Sequence, residues 1–302
     1  MAAVEHLQPG ASHAAGAVIP APGRRWPASA ARPVWHALRR SPGLTLSVLV
    51  LLGVAAWVVA PGLFTSADPI TGVPAERLQG PSAAHPFGTD QIGRDLFARV
   101  VHGAALSIQA TVVAVVVGLA VGTFLGLLAG FLRGWVDDVV GRVVDVLLAI
   151  PGLLLSLALV TVLGFGSLKV AVAVGITSVA AFARVMRSEV LRVSASVYVE
   201  AARSSGARWH AVLGQHVLPN ASGPVLALVA LEFGAAILAI SALSFLGYGA
   251  APPAPEWGSL VSEGRNYLAA AWWLATFPGL VIVAVVLSAN RVARALERRV
   301  ED

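Results

Sequence analysis

The chain has no cysteine and a single lysine, Lys169, and only 12% of its 302 residues are charged. The missing cysteine excludes disulfides and thiol chemistry. The scarcity of charge excludes more. Soluble domains are about 25% charged, so a chain this long cannot cover a globular surface with so few polar groups. With 57% hydrophobic residues, much of its surface is expected to face lipid. No G-x-x-x-x-G-K-[ST] run is present, and Gly164-Phe165-Gly166-Ser167-Leu168-Lys169 is not one, which excludes nucleotide binding through a P-loop. The seven histidines form no H-E-x-x-H or related set, so no metal site is expected. Ser107 lies near His102 without an acidic orienter, so no hydrolytic triad is expected. The net charge of +5 raises nucleic acid as a partner. The arginines, however, cluster at the ends of apolar runs and not in a patch between aromatics, which is a membrane pattern.

What is present is long apolar runs. Residues 1–43 are rich in Ala, Pro and Gly without helical or strand periodicity, and they read as a disordered tail with a short amphipathic piece near Val34–Leu38. Six runs follow, at roughly 44–61, 104–129, 143–163, 168–186, 223–246 and 273–290. A helix needs about 20 residues to span a bilayer, so the first is at the short end and the others suffice. Gly118, Gly122, Gly126, Gly152 and Gly164 suit close helix packing in lipid. Pro151 predicts a kink or a late helix start in the third run. The first run has a long leader and no clear cleavage site, so an uncleaved span is expected over a cleaved signal.

With both termini in the cytoplasm, sixteen basic residues fall inside and five outside. The positive-inside rule favours that topology. It makes 61–103 and 247–272 external and the connection 187–222 cytoplasmic. In the first external segment, Thr89 or Asp90 is the expected cap of an amphipathic helix carrying Ile92, Leu96, Phe97, Val100 and Val101, running into the second span. Asp90, Arg94, Asp95 and Arg99 are spaced to pair among themselves. In the second, Pro252, Pro253 and Pro255 are expected to stop the fifth helix. Trp257, Tyr267, Trp272 and Trp273 fit an aromatic belt, and SLVSEGRNYL fits a short helix.

The cytoplasmic stretch YVEAARSSGARWHAVLGQHVLPN (198–220) is polar between apolar neighbours. The first part supports a helix ending near Ser204–Ser205. Gly206 can take a left-handed cap and turn the chain. A second short helix is expected to end at Pro219. Two short helices hinged at a glycine make a rigid lever rather than a plain loop.

Glu200-Ala201-Ala202, Gly206 and His216-Val217-Leu218-Pro219 at this spacing resemble the EAA loop of ABC importer permeases. FGTDQIGRDLFARVVHGA (87–104), GWVDDVVGRVVDVLLAIP (134–151) and LSFLGYGAAPPAPEWGSLVSEGRNYL (243–268) resemble segments of the second, C-type permease of dipeptide, oligopeptide and nickel importers. The likeness covers about residues 41–290. Where that family commonly has an acidic residue before LSFLG, this chain has Ile240. The resemblance implies an all-α polytopic membrane protein of six transmembrane helices with the type I ABC importer fold, in the bacterial cytoplasmic (inner) membrane. It implies a loop, with Glu200, Ala201, Ala202, Arg203, Gly206, His216, Leu218 and Pro219, that fits a separate ATPase subunit. It implies an outer motif of Gly88, Thr89, Asp90, Gly93, Arg94 and Asp95. The implied partners are a B-type permease, two ATPase domains and an extracytoplasmic solute-binding protein. ATP and magnesium would sit on the ATPase subunits and none on this chain. Peptides are the implied solute, with nickel or another small solute as the alternative.

Two carboxylates fall within or near the runs. Asp145 is expected to pair with Arg142, three residues earlier. Glu232 has no neighbour of opposite charge in sequence; it either lines the translocation path or pairs with the second permease. A secondary transporter would show inverted repeats and paired midplane charges, and neither is found. An intramembrane enzyme would need a catalytic set that is absent.

Overall fold

The structure, a computed structural model, describes residues 42–301. The expected disordered tail therefore lies outside the described residues, apart from Pro42 and Gly43, which open the first helix. Besides 3-10 turns at Pro61–Leu63, Pro74–Glu76 and Arg265–Tyr267, nine longer helices follow one another with no strand among the described residues: α1 (Pro42–Val59), α2 (Leu96–Leu132), α3 (Trp135–Ala149), α4 (Gly152–Leu163), α5 (Ser167–Ser194), α6 (Val197–Ser204), α7 (Trp209–Phe245), α8 (Trp257–Gly264) and α9 (Trp273–Glu301). Five are long and apolar enough to cross a membrane, and α3 with α4 makes a sixth if that bent pair is one span. Their outward faces are apolar, with Leu49, Val116, Phe124, Leu226, Leu238 and Leu280 all exposed. This is the surface a bilayer solvates at no cost and water does not.

α2 is one unbroken helix of 37 residues, about 55 Å long at 1.5 Å per residue. It starts later than the sequence suggests. Its cap is Asp95, whose Oδ1 accepts the Ala98 N–H at 2.7 Å, and not Thr89 or Asp90. Residues 85–95 are irregular because Gly88 (φ +76°) and Gly93 (φ +82°) hold conformations outside the helical region. Asp90 instead folds a turn, its Oδ1 accepting Ile92 N at 3.0 Å and Arg94 N at 2.9 Å.

The tightest packing in the bundle joins α2 to α5. Gly118, Gly122, Gly126 and Gly130 recur every fourth residue and line one face. A Cβ at Gly122 would stand 2.5 Å from Val179 O, and one at Gly126 2.4 Å from Ala183 O. Backbones this close are what small residues permit in lipid, where van der Waals contact replaces the hydrophobic effect. Gly152 makes no such approach, and Gly164 serves as the cap that ends α4.

The third run is not one straight span. α3 and α4 bend by 98° at Ile150–Pro151. Pro151 lacks an N–H and forces Ile150 into an extended conformation (φ −95°, ψ 130°). The helix of the fifth run, α7, is stopped by glycine, several residues before the prolines expected to do it. Gly247 (φ +97°) sends its N–H to Ser244 O and Tyr248 sends its N–H to Leu243 O, a Schellman ending.

Candidate functional site

The hairpin between α5 and α7 is built from a buried valine row beneath an exposed polar surface. α6 ends in a second Schellman motif: Gly206 N–H meets Arg203 O, Ala207 N–H meets Ala202 O, and Gly206 has φ +81°. A residue with a Cβ is strained in that conformation, so glycine is the elbow. Val199, Val212 and Val217 are fully or almost fully buried and join the cluster of Val190, Val193 and Ala221. They bolt the hairpin to the bundle. Glu200, Ala201, Arg203 and Gly206 are exposed and Ala202 is half-buried. The Arg203 guanidinium lies 5.9 Å over the Phe131 ring at the end of α2, within cation–π range, and Trp209 packs on the same ring at 6.3 Å.

The second arm of the hairpin is not a separate short helix ended by Pro219. Helix continues from Trp209 to Phe245, and Val212–Val217 within it form a π-helical stretch. There the Leu218 N–H reaches back to Leu213 O, one residue further than in an α-helix. The wider turn relieves the clash a proline ring makes with the carbonyl four residues back. Pro219 is thus carried inside the helix, exposed beside Leu218, while His216 is half-buried with its ring 6.5 Å from Tyr198.

The outer motif is a buried network. Thr89 N–H meets Gln79 O at 3.0 Å, its hydroxyl accepts Gln79 N–H at 2.9 Å and donates to Glu76 O, and its carbonyl accepts the Trp273 indole N–H at 3.2 Å. Asp90 Oδ2 accepts from Arg94 Nε at 2.5 Å. Asp95, besides capping α2, meets His85 Nδ1 at 2.8 Å. Sequence spacing anticipates the Asp90–Arg94 pair. It misses the third partner, Glu263 of α8, which accepts from Arg94 Nη2 at 3.3 Å and from Arg99 Nη2 at 3.2 Å. Arg99 is fully buried. The arrangement clamps the loop before α2, the start of α2 and α8 into one unit.

Two residues assigned to an aromatic belt are core residues. Trp257 is wholly buried, its indole N–H on Val100 O at 2.9 Å and its backbone N–H on Ser107 Oγ at 3.1 Å. Trp273 is also buried, while Trp272 is exposed. Sequence patterning does not single out Glu256. It is buried and accepts from Ser244 Oγ (2.6 Å), Ser167 Oγ (3.0 Å) and Ala250 N (2.6 Å), joining α7, the loop after it and α5. Its one sequence signal is a lone acid in PPAPEWG, between prolines and a tryptophan.

Asp145 pairs with Arg184 of α5 at 3.7 Å, not with Arg142. α3 lies against α5, and a side chain across that gap is nearer than the one a turn below. Glu232 is half-buried on α7.

The comparisons with known proteins agree with this architecture. Residues 122–302 match the family described as binding-protein-dependent transport system inner membrane component. The chain is 38% identical over 265 residues to the dipeptide transport system permease protein DppC of Alkalihalophilus pseudofirmus, covering 88% of this chain and 87% of that protein. It is 40% identical over 246 residues to the glutathione transport system permease protein GsiD of Pectobacterium atrosepticum, covering 81% of each. Among solved structures, the inward-facing MetNI methionine ABC transporter shares the fold at 19% identity and a TM-score of 0.53, over 65% of this chain and 95% of that one. An amino acid ABC transporter with histidines does so at 18% and 0.52, over 67% and 94%. A π-interrupted hairpin on a glycine elbow, a six-segment helical bundle and these relatives together mean that the chain belongs to the binding-protein-dependent transport system inner membrane components, as a permease subunit of the ABC importer type.

Proposed function

We infer that this chain forms half of the path by which di- or oligopeptides enter a bacterial cell, paired with a B-type permease and driven by ATP hydrolysed elsewhere. Both termini and the hairpin 187–222 lie in the cytoplasm, on the arginine count. The hairpin seats on one of two ATPase domains, which hold ATP and magnesium, and an extracytoplasmic binding protein delivers the solute to the opposite side. The chain itself performs no catalysis. Peptide is favoured over nickel or another small solute because the relatives covering most of the chain are dipeptide and glutathione permeases by name.

The observation that carries the coupling role is the hairpin's construction. Its inner face is locked into the bundle by three buried valines, while Glu200, Ala201, Arg203 and Gly206 stand exposed. A displacement imposed on that exposed face has to move α5 and α7, because close-packed interiors transmit strain. The test is uptake of labelled di- and oligopeptides, and of nickel, by the complex reconstituted in vesicles. ATP-dependent peptide uptake is expected. Uptake of nickel alone would reassign the solute, and no ATP-driven uptake of any kind would overturn the importer reading.

A further inference from the structure

The segment GWVDDVVGRVVDVLLAIP belongs to neither the hairpin nor the outer network, yet it carries four charges. Asp138, Arg142 and Asp145 are spaced i, i+4, i+7 and share one face of α3. Arg184 and Arg187, three apart, share a face of α5. The two faces line a cleft of about 470 Å³, together with Asp137. That volume is in the range of sites for small ligands.

The six charges are held differently. Arg187 donates to both carboxylate oxygens of Asp137, with Nη2 2.7 Å from Oδ2, and so bridges α5 to α3. Arg184 stands 3.7 Å from Asp145, with side chains 63% and 71% exposed. A pair so open to water is weakly held and readily exchanged. Asp138 and Arg142 are exposed and make no ion pair among the described residues. One bridge is therefore fixed, and two cations and two anions remain for a ligand.

The mixture of signs decides the ligand class. A phosphate or other simple anion placed here would face Asp138 and Asp145. A metal cation would face Arg142 and Arg184. A molecule bearing an ammonium group at one end and a carboxylate at the other satisfies both sets. We propose that the cleft between α3 and α5 is a binding site for a zwitterionic peptide on its way into the cytoplasm, with Asp138 and Asp145 receiving the ammonium end and Arg142 and Arg184 the carboxylate end. The proposal rests on the peptide reading above and deepens it. Its position fits a release step: α5 runs from Arg187 through Ser194 and meets the hairpin at Val197, so movement of the hairpin shifts half of the cleft against the other half.

The test uses the purified complex of the full chain with its partner subunits, free of nucleotide and of the binding protein. Binding of labelled dialanine is compared with that of its N-acetylated and C-amidated forms. Each blocked form is expected to bind the wild-type complex about tenfold more weakly, the size of one charge-assisted hydrogen bond. In Arg142→Gln the penalty for C-amidation should shrink about threefold or more while that for acetylation stays, and Asp138→Asn should show the reverse. Neither substitution touches the Arg187–Asp137 bridge. Equal binding of free and blocked dialanine to the wild type, or undiminished discrimination in both variants, would overturn the proposal. So would loss of the ATPase subunits from the variants, since the cleft would then be a subunit contact. ATP-driven uptake of dialanine by the same wild-type complex is measured alongside. Its failure overturns the peptide reading and the cleft site with it, whereas uptake without discrimination at the cleft overturns the site alone.

Discussion

Replacing Glu263 by alanine tests whether the outer network is a buried electrostatic clamp or a screened surface cluster. Glu263 accepts from Arg94 and Arg99, and Arg99 is fully buried. Without Glu263, the Arg99 guanidinium keeps only the Pro69 carbonyl at 3.3 Å and the Asp90 carboxylate at 3.8 Å. Removing one partner of a buried pair costs about 3–5 kcal/mol, because the other charge stays buried. Glu263 is 25% exposed, so the lower end, about 3 kcal/mol, applies. For a chain of 302 residues that is a fall in Tm of about 5 °C, measured by thermal unfolding of the detergent-solubilised protein. The reasoning also predicts recovery. Arg99→Met with Glu263→Met leaves no stranded charge and should lie within about 1 kcal/mol of wild type. A single-variant drop below about 2 °C, or a double variant worse than the single, would refute it and place the cluster among water-screened pairs.

Three further outcomes follow from the packing. Gly206→Pro and Glu200→Arg should insert and assemble normally yet hydrolyse ATP without proportional peptide uptake; unchanged coupling in both variants would retire the lever. Gly122→Leu drives a side chain into the backbone at Val179, so α2 must separate from α5, and the yield of monodisperse protein should fall severalfold in size-exclusion chromatography, whereas Gly152→Ala, with open space around it, should not change it. Glu232→Gln separates its two roles: reduced uptake with intact assembly marks a path residue, a lost permease partner marks a subunit contact, and normal uptake with normal assembly removes it from both.

Much of the bundle is legible from local rules. Apolar runs of bilayer length and arginines at their ends mark the spans, and Gly206 among polar residues marks the elbow. The structure departs from these local rules where a neighbouring glycine or a π turn takes over the expected role, or where a side chain's partner is distant in sequence. The prolines at 252, 253 and 255 looked like the stop for α7, but Gly247 had already closed it. Thr89 and Asp90 looked like helix caps because their spacing to apolar residues is helical, while Gly88 and Gly93 forbid the helix. Pro219 looked terminal because proline lacks an N–H, and the π turn before it removes the conflict. Trp257 and Trp273 looked interfacial because tryptophan in an external loop usually is.

The chain's own sequence determined its solvent, its family and its hinge. Those depend on composition, on periodicity and on the backbone freedom of single residues, all local quantities. Only the tertiary structure decided which charges meet. Glu263 lies 164 residues from Arg99 and 169 from Arg94, Glu256 lies 89 residues from Ser167, and Asp145 turns to Arg184 across the gap between α3 and α5. The physical reason is that attraction between charged groups falls with distance in space and not in sequence, and space between helices is set by how closely their backbones pack. Here four glycines let the backbone of α2 approach that of α5.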